Sequence, residues 1–216
     1  MAATFRQGQH ICALFDDEPQ MVAMAATYLH EGIVCGEQVM YVARSVAARD
    51  RLRAALRSQG LDVDEVLARG GLLEATQEHA HLAGGHFDAE RMIRWLNDAV
   101  ETALNRGFTG LRACGDMSWL LEEPSGFEQV VEYEALLNGL FREVRALGMC
   151  LYDRTLMSPN LLDHALATHS TAFLDGTHVV NPFYESSSTA KIRTADPRSG
   201  AARILELRRL AMSESS

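Results

Sequence analysis

The chain has no apolar run long enough to span a bilayer, and its first residues, MAATFRQGQH, lack the apolar core of a signal peptide. A cytoplasmic location without a membrane partner is therefore expected. Positive charge is also short: 20 Lys and Arg stand against 29 Asp and Glu, a net charge of -9. A balance of that sign disfavours direct binding to nucleic acid or anionic lipid. Cysteine is scarce, and Cys12, Cys35, Cys114 and Cys150 form no C-x-x-C pair, which argues against zinc-type ligation. Three of the four fall in apolar runs and read as small buried hydrophobes in a reducing compartment. The nucleophile elbow G-x-S-x-G and the zinc signature H-E-x-x-H are both missing. No catalytic residue is assigned, and an enzyme is not the expected class.

What is present is an ordinary globular composition, 47% apolar and 23% charged, sufficient for one domain whose core needs no disulfide. The stretch from Gly8 to Ala43 organises it. An apolar run from His10 to Phe15 ends in the polar turn Asp16-Asp17-Glu18-Pro19. A helical pattern follows from Gln20 to about Val34, then a Gly-Glu turn, then a second apolar run from Gln38 to Ala43. Strand, turn, helix, strand commits the two strands to a parallel sheet. In many folds of this kind that first turn cradles phosphate through G-x-x-x-x-G-K-[ST]. Here it holds three acids and no such motif.

Downstream, Ser45 caps a helix to Gln59, and Arg44, Arg49, Arg51, Arg53 and Arg57 read as a solvated face. A short helix spans Asp62 to Arg69, and Leu72 to Ala75 is a strand. Gln77 to Phe87, with His79, His81 and His86, reads as a polar surface loop. Asp88 opens a helix to about Asn105, and Phe108 to Cys114 is the next strand. A long helix is expected from Phe127 to Leu147, stopped by Gly148, before a strand from Met149 to Tyr152. Ser158 and Pro159 start another helix, and Thr171–Leu174 with His178–Val180 forms a hairpin around Asp175-Gly176. Residues 1–185 read as the compact domain, and 186–216 as a polar linker with a final amphipathic helix from Ala201 to Met212. The whole reads as an α/β three-layer sandwich with a mostly parallel central sheet and a late antiparallel hairpin at its edge.

Ligands of open α/β sheets bind at the carboxyl ends of the strands. Those ends deliver Phe15, Asp16 and Asp17, then Asp116, Met117 and Trp119, then Tyr152, Asp153 and Arg154. Such a mixture suits a small organic ligand and repels a triphosphate. Strand alternation places His10, Cys12 and Leu14 on one face, and Arg112, Cys114 and Asp116 on another. An arginine within a central strand needs a buried acid. Glu134 lies in the apolar stripe Val130, Leu137, Phe141 and Val144, with Asn138 one turn on, and is the candidate partner of Arg112 or of His10. The candidate ligand-binding residues are His10, Cys12, Phe15, Asp16, Asp116, Trp119, Glu134 and Tyr152, with no metal ligand and no cofactor assigned.

The segments HICALFDDEPQMVAMAATYLHEGIVCGEQVMYVA, GLRACGDMSWLL, VVEYEALLNGL, CLYDR and THSTAFLDGTHVVNPFYE, in that order, resemble a MEDS domain, the methanogen and methylotroph sensory domain of the DcmR type. The resemblance covers about Gln9 to Tyr184. It implies a RecA/KaiC-like fold in which the Asp16 turn stands at the Walker A position and Gly115-Asp116 near Walker B. It also implies a signal-input domain that recognises a small organic molecule such as a hydrocarbon derivative. Only some 30 residues follow Tyr184, so the expected partner is a separately encoded kinase, anti-sigma-like or transcriptional protein, with a homodimer also open. Two other readings stand beside it. One is a residual nucleotide-binding or hydrolytic domain; the other is a metal or haem sensor built on His10, Cys12 and the histidine cluster.

Overall fold

A computed structural model describes residues 5–185 and 199–214. The chain opens with strand β1 (His10–Phe15), helix α1 (Glu18–Val34) and strand β2 (Gln38–Ala43), the expected βαβ unit. The acidic turn starts the helix rather than preceding it. Asp17 is the N-cap, its side chain accepting the Gln20 N–H at 2.8 Å, and Pro19 occupies the first turn. Helices α2 (Val46–Ser58) and α3 (Val63–Ala68) follow, capped by Ser45 and Asp62, and then strand β3 (Leu72–Thr76). Helix α4 (Ala89–Asn105) is capped by Asp88 and leads to β4 (Leu111–Asp116). Helix α5 (Val130–Glu143), β5 (Ala146–Asp153) and α6 (Pro159–Thr168) come next. The hairpin β6 (Thr171–Leu174) and β7 (Thr177–Val180) and helix α7 (Ser199–Glu214) complete the described chain.

The seven strands form one sheet in the order β3-β2-β4-β5-β1-β6-β7. Every neighbouring pair is parallel except β6 with β7. Helices α1 to α3 cover one face, where Ile11, Phe15, Met21, Tyr28 and Tyr41 are buried together. Helices α4 to α7 cover the other, around Cys12, Met92, Leu96, Trp119, Leu137 and Leu207. The three-layer sandwich and its late antiparallel hairpin are thus as expected. The linker expected from residue 186 lies, up to residue 198, outside the described residues.

Some boundaries differ from the sequence reading. The long helix ends at Glu143, not Leu147, and β5 begins at Ala146. Gly148 does not stop a helix but lies inside β5, where a Cβ would meet the Phe141 ring at 2.4 Å. The Phe108 strand begins three residues later, at Leu111. Gly110 precedes it because a Cβ there would stand 2.4 Å from the Arg145 carbonyl.

Arg112 needs a buried acid, and Glu134 is not it. Arg112 projects toward α1, whereas Glu134 lies beneath the opposite face. Its Nε donates to Glu37 at 2.6 Å, and its Nη1 to Glu31 at 3.2 Å and to the Tyr28 carbonyl at 2.9 Å. The guanidinium also lies 4.9 Å from the Tyr28 ring centroid. Arg44 and the α2 arginines are not a bare solvated face either. Arg44 and Arg51 reach Glu18, Arg53 clamps Glu74, and Arg57 reaches Asp64.

Candidate functional site

The carboxyl ends of the strands are closed by the chain's own ions. Asp17 spends its carboxylate on the N-terminus of α1, where a phosphate would otherwise be held. Glu18 accepts from Arg44 at 2.5 Å and Arg51 at 2.8 Å. Asp16 is clamped by Arg154, which also reaches Asp175 at 3.3 Å, and Arg208 of α7 stands 3.7 Å from Asp16. Asp116 is buried at the end of β4, where it accepts the Ser118 N–H at 2.9 Å. Burial lifts its carboxyl above the usual range despite that bond and the cation of Arg44, 3.9 Å away.

Trp119 turns away from this end and packs under α4. Its ring stacks on His81 at a centroid distance of 5.0 Å and touches Phe87 at 4.6 Å. The surface-loop expectation therefore fails for His81, which is only 3% exposed. Apolar contact with Trp119 holds the segment inward, and burial, then Arg91, holds the imidazole down at about 3. His79 and His86 face elsewhere, toward Thr76 and the Gly84 carbonyl, so the three histidines form no common site.

Beneath α5 and α6 the structure gathers a second group. His10 opens β1, Cys150 and Tyr152 follow one another on the same face of β5, Glu134 comes down from α5, and His169 stands between α6 and β6. His10, Glu134, Tyr152 and His169 are each no more than 1% exposed. His10 Nε2 lies 3.3 Å from Glu134 Oε2, and His169 Nε2 lies 3.5 Å from the same oxygen. The Tyr152 hydroxyl donates to Glu134 Oε1 at 3.1 Å, and Cys150 Sγ is 3.5 Å from His10 Nε2. The imidazole rings of His10 and His169 lie 3.9 Å apart. Burial pushes Glu134 up to about 8, offset in part by Tyr152, and holds His10 down at about 3, with Asn138 pulling the other way. Cys12 neighbours Cys150 across the β1–β5 ladder, and burial, then the charge of Glu134, raises its thiol.

Alongside this cluster, between the sheet and α4–α5, lies a cavity of about 30 Å³. Met40, His81, Met92, Leu96, Tyr133 and Cys150 are among its walls. Outside it, a groove of about 380 Å³ runs between β3 and α4, lined by Met40, Leu73, Glu74, Trp95, Asp98 and Thr102. Met40 and Trp95 belong to both spaces.

Of the eight candidates, His10, Cys12, Glu134 and Tyr152 meet, and the pairing of Glu134 with His10 is as expected. Asp116 and Asp16 lie apart at the strand ends, Trp119 is under α4, and Phe15 is core beneath α1. Cys150 and His169 were missed. Cys150 shares the alternation of Tyr152 and was readable from it, but it passed as a buried hydrophobe. His169 follows a helix end and precedes a strand, where no periodicity marks a side chain's direction.

Residues 9–170 match the model of the family described as MEDS, the methanogen/methylotroph, DcmR sensory domain. No curated protein matches the chain. Among solved structures it is similar to a KaiC-like protein of Pyrococcus horikoshii OT3, with a TM-score of 0.56, 15% identity, and coverage of 79% of this chain and 72% of that one. It is also similar to the flagellar accessory protein FlaH of Methanocaldococcus jannaschii, with a TM-score of 0.58, 11% identity, and coverage of 87% and 84%. At such identities the likeness establishes a RecA/KaiC-like fold and nothing further.

Proposed function

The chain belongs to the MEDS family of sensory domains, and from that membership we propose that it is a signal-input domain for a small, largely apolar organic molecule. The observation that carries this reading is the cavity between the sheet and α4–α5, paired with the groove outside it across Met40 and Trp95. Thioether and aromatic walls adapt to small apolar guests, and Trp95 is partly exposed between the two spaces. The cavity as it stands holds little, so uptake requires Met40, Met92 or Trp95 to move. That movement is the conformational difference a sensor needs, because a ligand shifts an equilibrium only through its differential affinity for two states.

The site is read as non-enzymatic, and the closed strand ends support this. A triphosphate there meets Asp16, Asp17, Glu18 and Asp116, and the nearest arginines are already paired with them. The recipient of the signal is read as a separate protein, or a second copy, met in the cytoplasm without nucleic acid or membrane. Helix α7 is the element proposed to meet it. Ile204, Leu207 and Ala211 pack inward, while Leu205, Leu210 and Met212 face solvent.

Titrating the protein with short-chain alcohols, halogenated one- and two-carbon hydrocarbons and benzene, followed by tryptophan fluorescence, tests the reading. Saturable binding is expected for at least one class, lost in Ala99→Leu, which narrows the groove. Absence of saturation with every class, together with micromolar binding of ATP and magnesium, overturns it.

A further inference from the structure

We propose that His10, Glu134, Cys150 and His169 are the ligands of a buried divalent transition-metal ion, with zinc the ion their donors suit best. The four ligating atoms, two imidazole Nε2, one carboxylate oxygen and one thiol sulfur, all lie within 4.8 Å of one another. A tetrahedral zinc site with bonds of about 2.0–2.3 Å sets its ligand atoms roughly 3.3–3.8 Å apart. The observed separations of 3.3 Å, 3.5 Å and 3.5 Å along three edges fall in that interval. Two imidazoles with a carboxylate and a thiol are borderline donors, the class that selects zinc over calcium or magnesium.

The hydrogen bonds decide where the protons are, and they point the same way. His169 Nδ1 lies 2.7 Å from the Ala165 carbonyl, which can only accept, so Nδ1 carries the hydrogen and Nε2 is bare. The Asn138 amide nitrogen donates to the Glu134 and Thr168 carbonyls. That leaves Asn138 Oδ1 to accept from His10 Nδ1 at 3.3 Å, so His10 Nε2 is bare as well. Two bare nitrogens thus converge on one carboxyl oxygen. Among the described residues, Glu134 Oε2 and His169 Nε2 have no hydrogen-bond partner. A protonated Glu134 gives its one hydrogen to one nitrogen and leaves His10 Nε2 only the weak Cys150 S–H at 3.5 Å, whereas a cation engages all four atoms at once.

The surroundings match what metal-bound histidine and carboxylate require. Each imidazole is fixed through its Nδ1–H, and Glu134 Oε1 is engaged by Tyr152, leaving Oε2 as the single donor. Both imidazoles present a bare Nε2 to the common point, the form that ligates. Binding is a proton exchange: M²⁺ with the Glu134 acid and the Cys150 thiol gives the bound ion, carboxylate and thiolate, and two protons leave to solvent. The product carries no net charge, which is what a fully buried site demands. The set draws on β1, α5, β5 and the α6–β6 junction, so the ion ties α5 to the sheet.

The test uses the full chain, stripped with a chelator, checked for folding by circular dichroism, and titrated with Co²⁺ and then Zn²⁺. One equivalent of Co²⁺ is expected, with tetrahedral visible bands and a near-ultraviolet thiolate-to-metal band, all displaced by one equivalent of Zn²⁺. Cys150→Ser should remove the near-ultraviolet band, His169→Ala should abolish stoichiometric uptake, and Asn138→Ala should weaken affinity about 10–100-fold. His79→Gln, a histidine outside both the set and the cavity, should bind as the parent does. If His169→Ala does not fold, Cys150→Ser, nearly isosteric, carries the test alone. A folded parent that takes up neither ion at micromolar concentration overturns the proposal. So does uptake whose spectrum is unchanged in Cys150→Ser.

Discussion

Gly148 has no side chain, and the Phe141 ring fills the space where one would stand, 2.4 Å from the ideal Cβ position. Gly148→Ala should therefore destabilise by about 1–3 kcal/mol, the usual cost of overpacking, and Phe141→Leu should recover part of that loss. Urea denaturation of the two variants and their combination measures both effects. Arg112 is a different case, a buried cation with two carboxylates. Arg112→Ala leaves Glu37 buried without its charge partner and should cost about 3–5 kcal/mol. Arg112→Met, which keeps the volume, should not recover this loss unless Glu37→Gln is added. His81 sets an acid limb. Its folded pKa, about 3, lies below the 6.5 of the unfolded chain, so the unfolded state binds more protons between those values. Its contribution is whole above pH 6.5 and is lost as pH falls toward 3. Between pH 7 and pH 5 this amounts to on the order of 1–2 kcal/mol. Thermal denaturation of His81→Phe, which keeps the stack on Trp119, should fall less steeply over that interval than the parent.

At the scale of elements, caps and turns were legible and faces were not. Ser45, Asp88 and Ser158 cap helices as expected, each through an oxygen accepting a backbone N–H three residues on, and Asp17 and Asp62, read as a turn residue and a helical one, do the same. Such signals are local, so a sequence displays them openly. The partner of Arg112 was not local: Glu37 lies 75 residues away and sits in a turn with no periodic pattern to orient it. The α5–β5 junction misled because glycine reads as a helix stop, whereas here its function is to admit Phe141. Glu134 was found because a carboxylate breaks an apolar stripe at helical spacing. His169 breaks no pattern, and only the folded chain brings it to Glu134. The Asp17 cap offers a check on the closed strand end. Asp17→Ala should cost about 1 kcal/mol and still not admit ATP, because Asp16 and Glu18 remain. Chemical denaturation and a nucleotide titration of that variant measure the two parts.

For the whole molecule, the alternation of strands and helices was enough to give a parallel sheet in three layers, but not the order of its strands. That order places β1 between β5 and β6, with the β3-β2-β4 group beyond β5. The expected ligand mouth failed to assemble because the candidates came from both faces of the sheet and from both ends. His10 and Asp16 are separated along β1, and Trp119 and Phe15 lie on opposite sides of it.

That placement of β1 has a consequence for the birth of the chain. Strand β1, once made, finds neither of its neighbours until β5 and β6 have been made, more than 130 residues later. Strands β2, β3 and β4 can pair with one another while β1, apolar from Ile11 to Phe15, has unsatisfied edges on both sides. A nascent chain arrested after residue 145 should therefore be captured by chaperones through β1, and one long enough to hold β5 and β6 clear of the ribosome should escape. Ribosome-bound chains of the two lengths, compared by chaperone crosslinking at Ile11 or Leu14, read the difference directly.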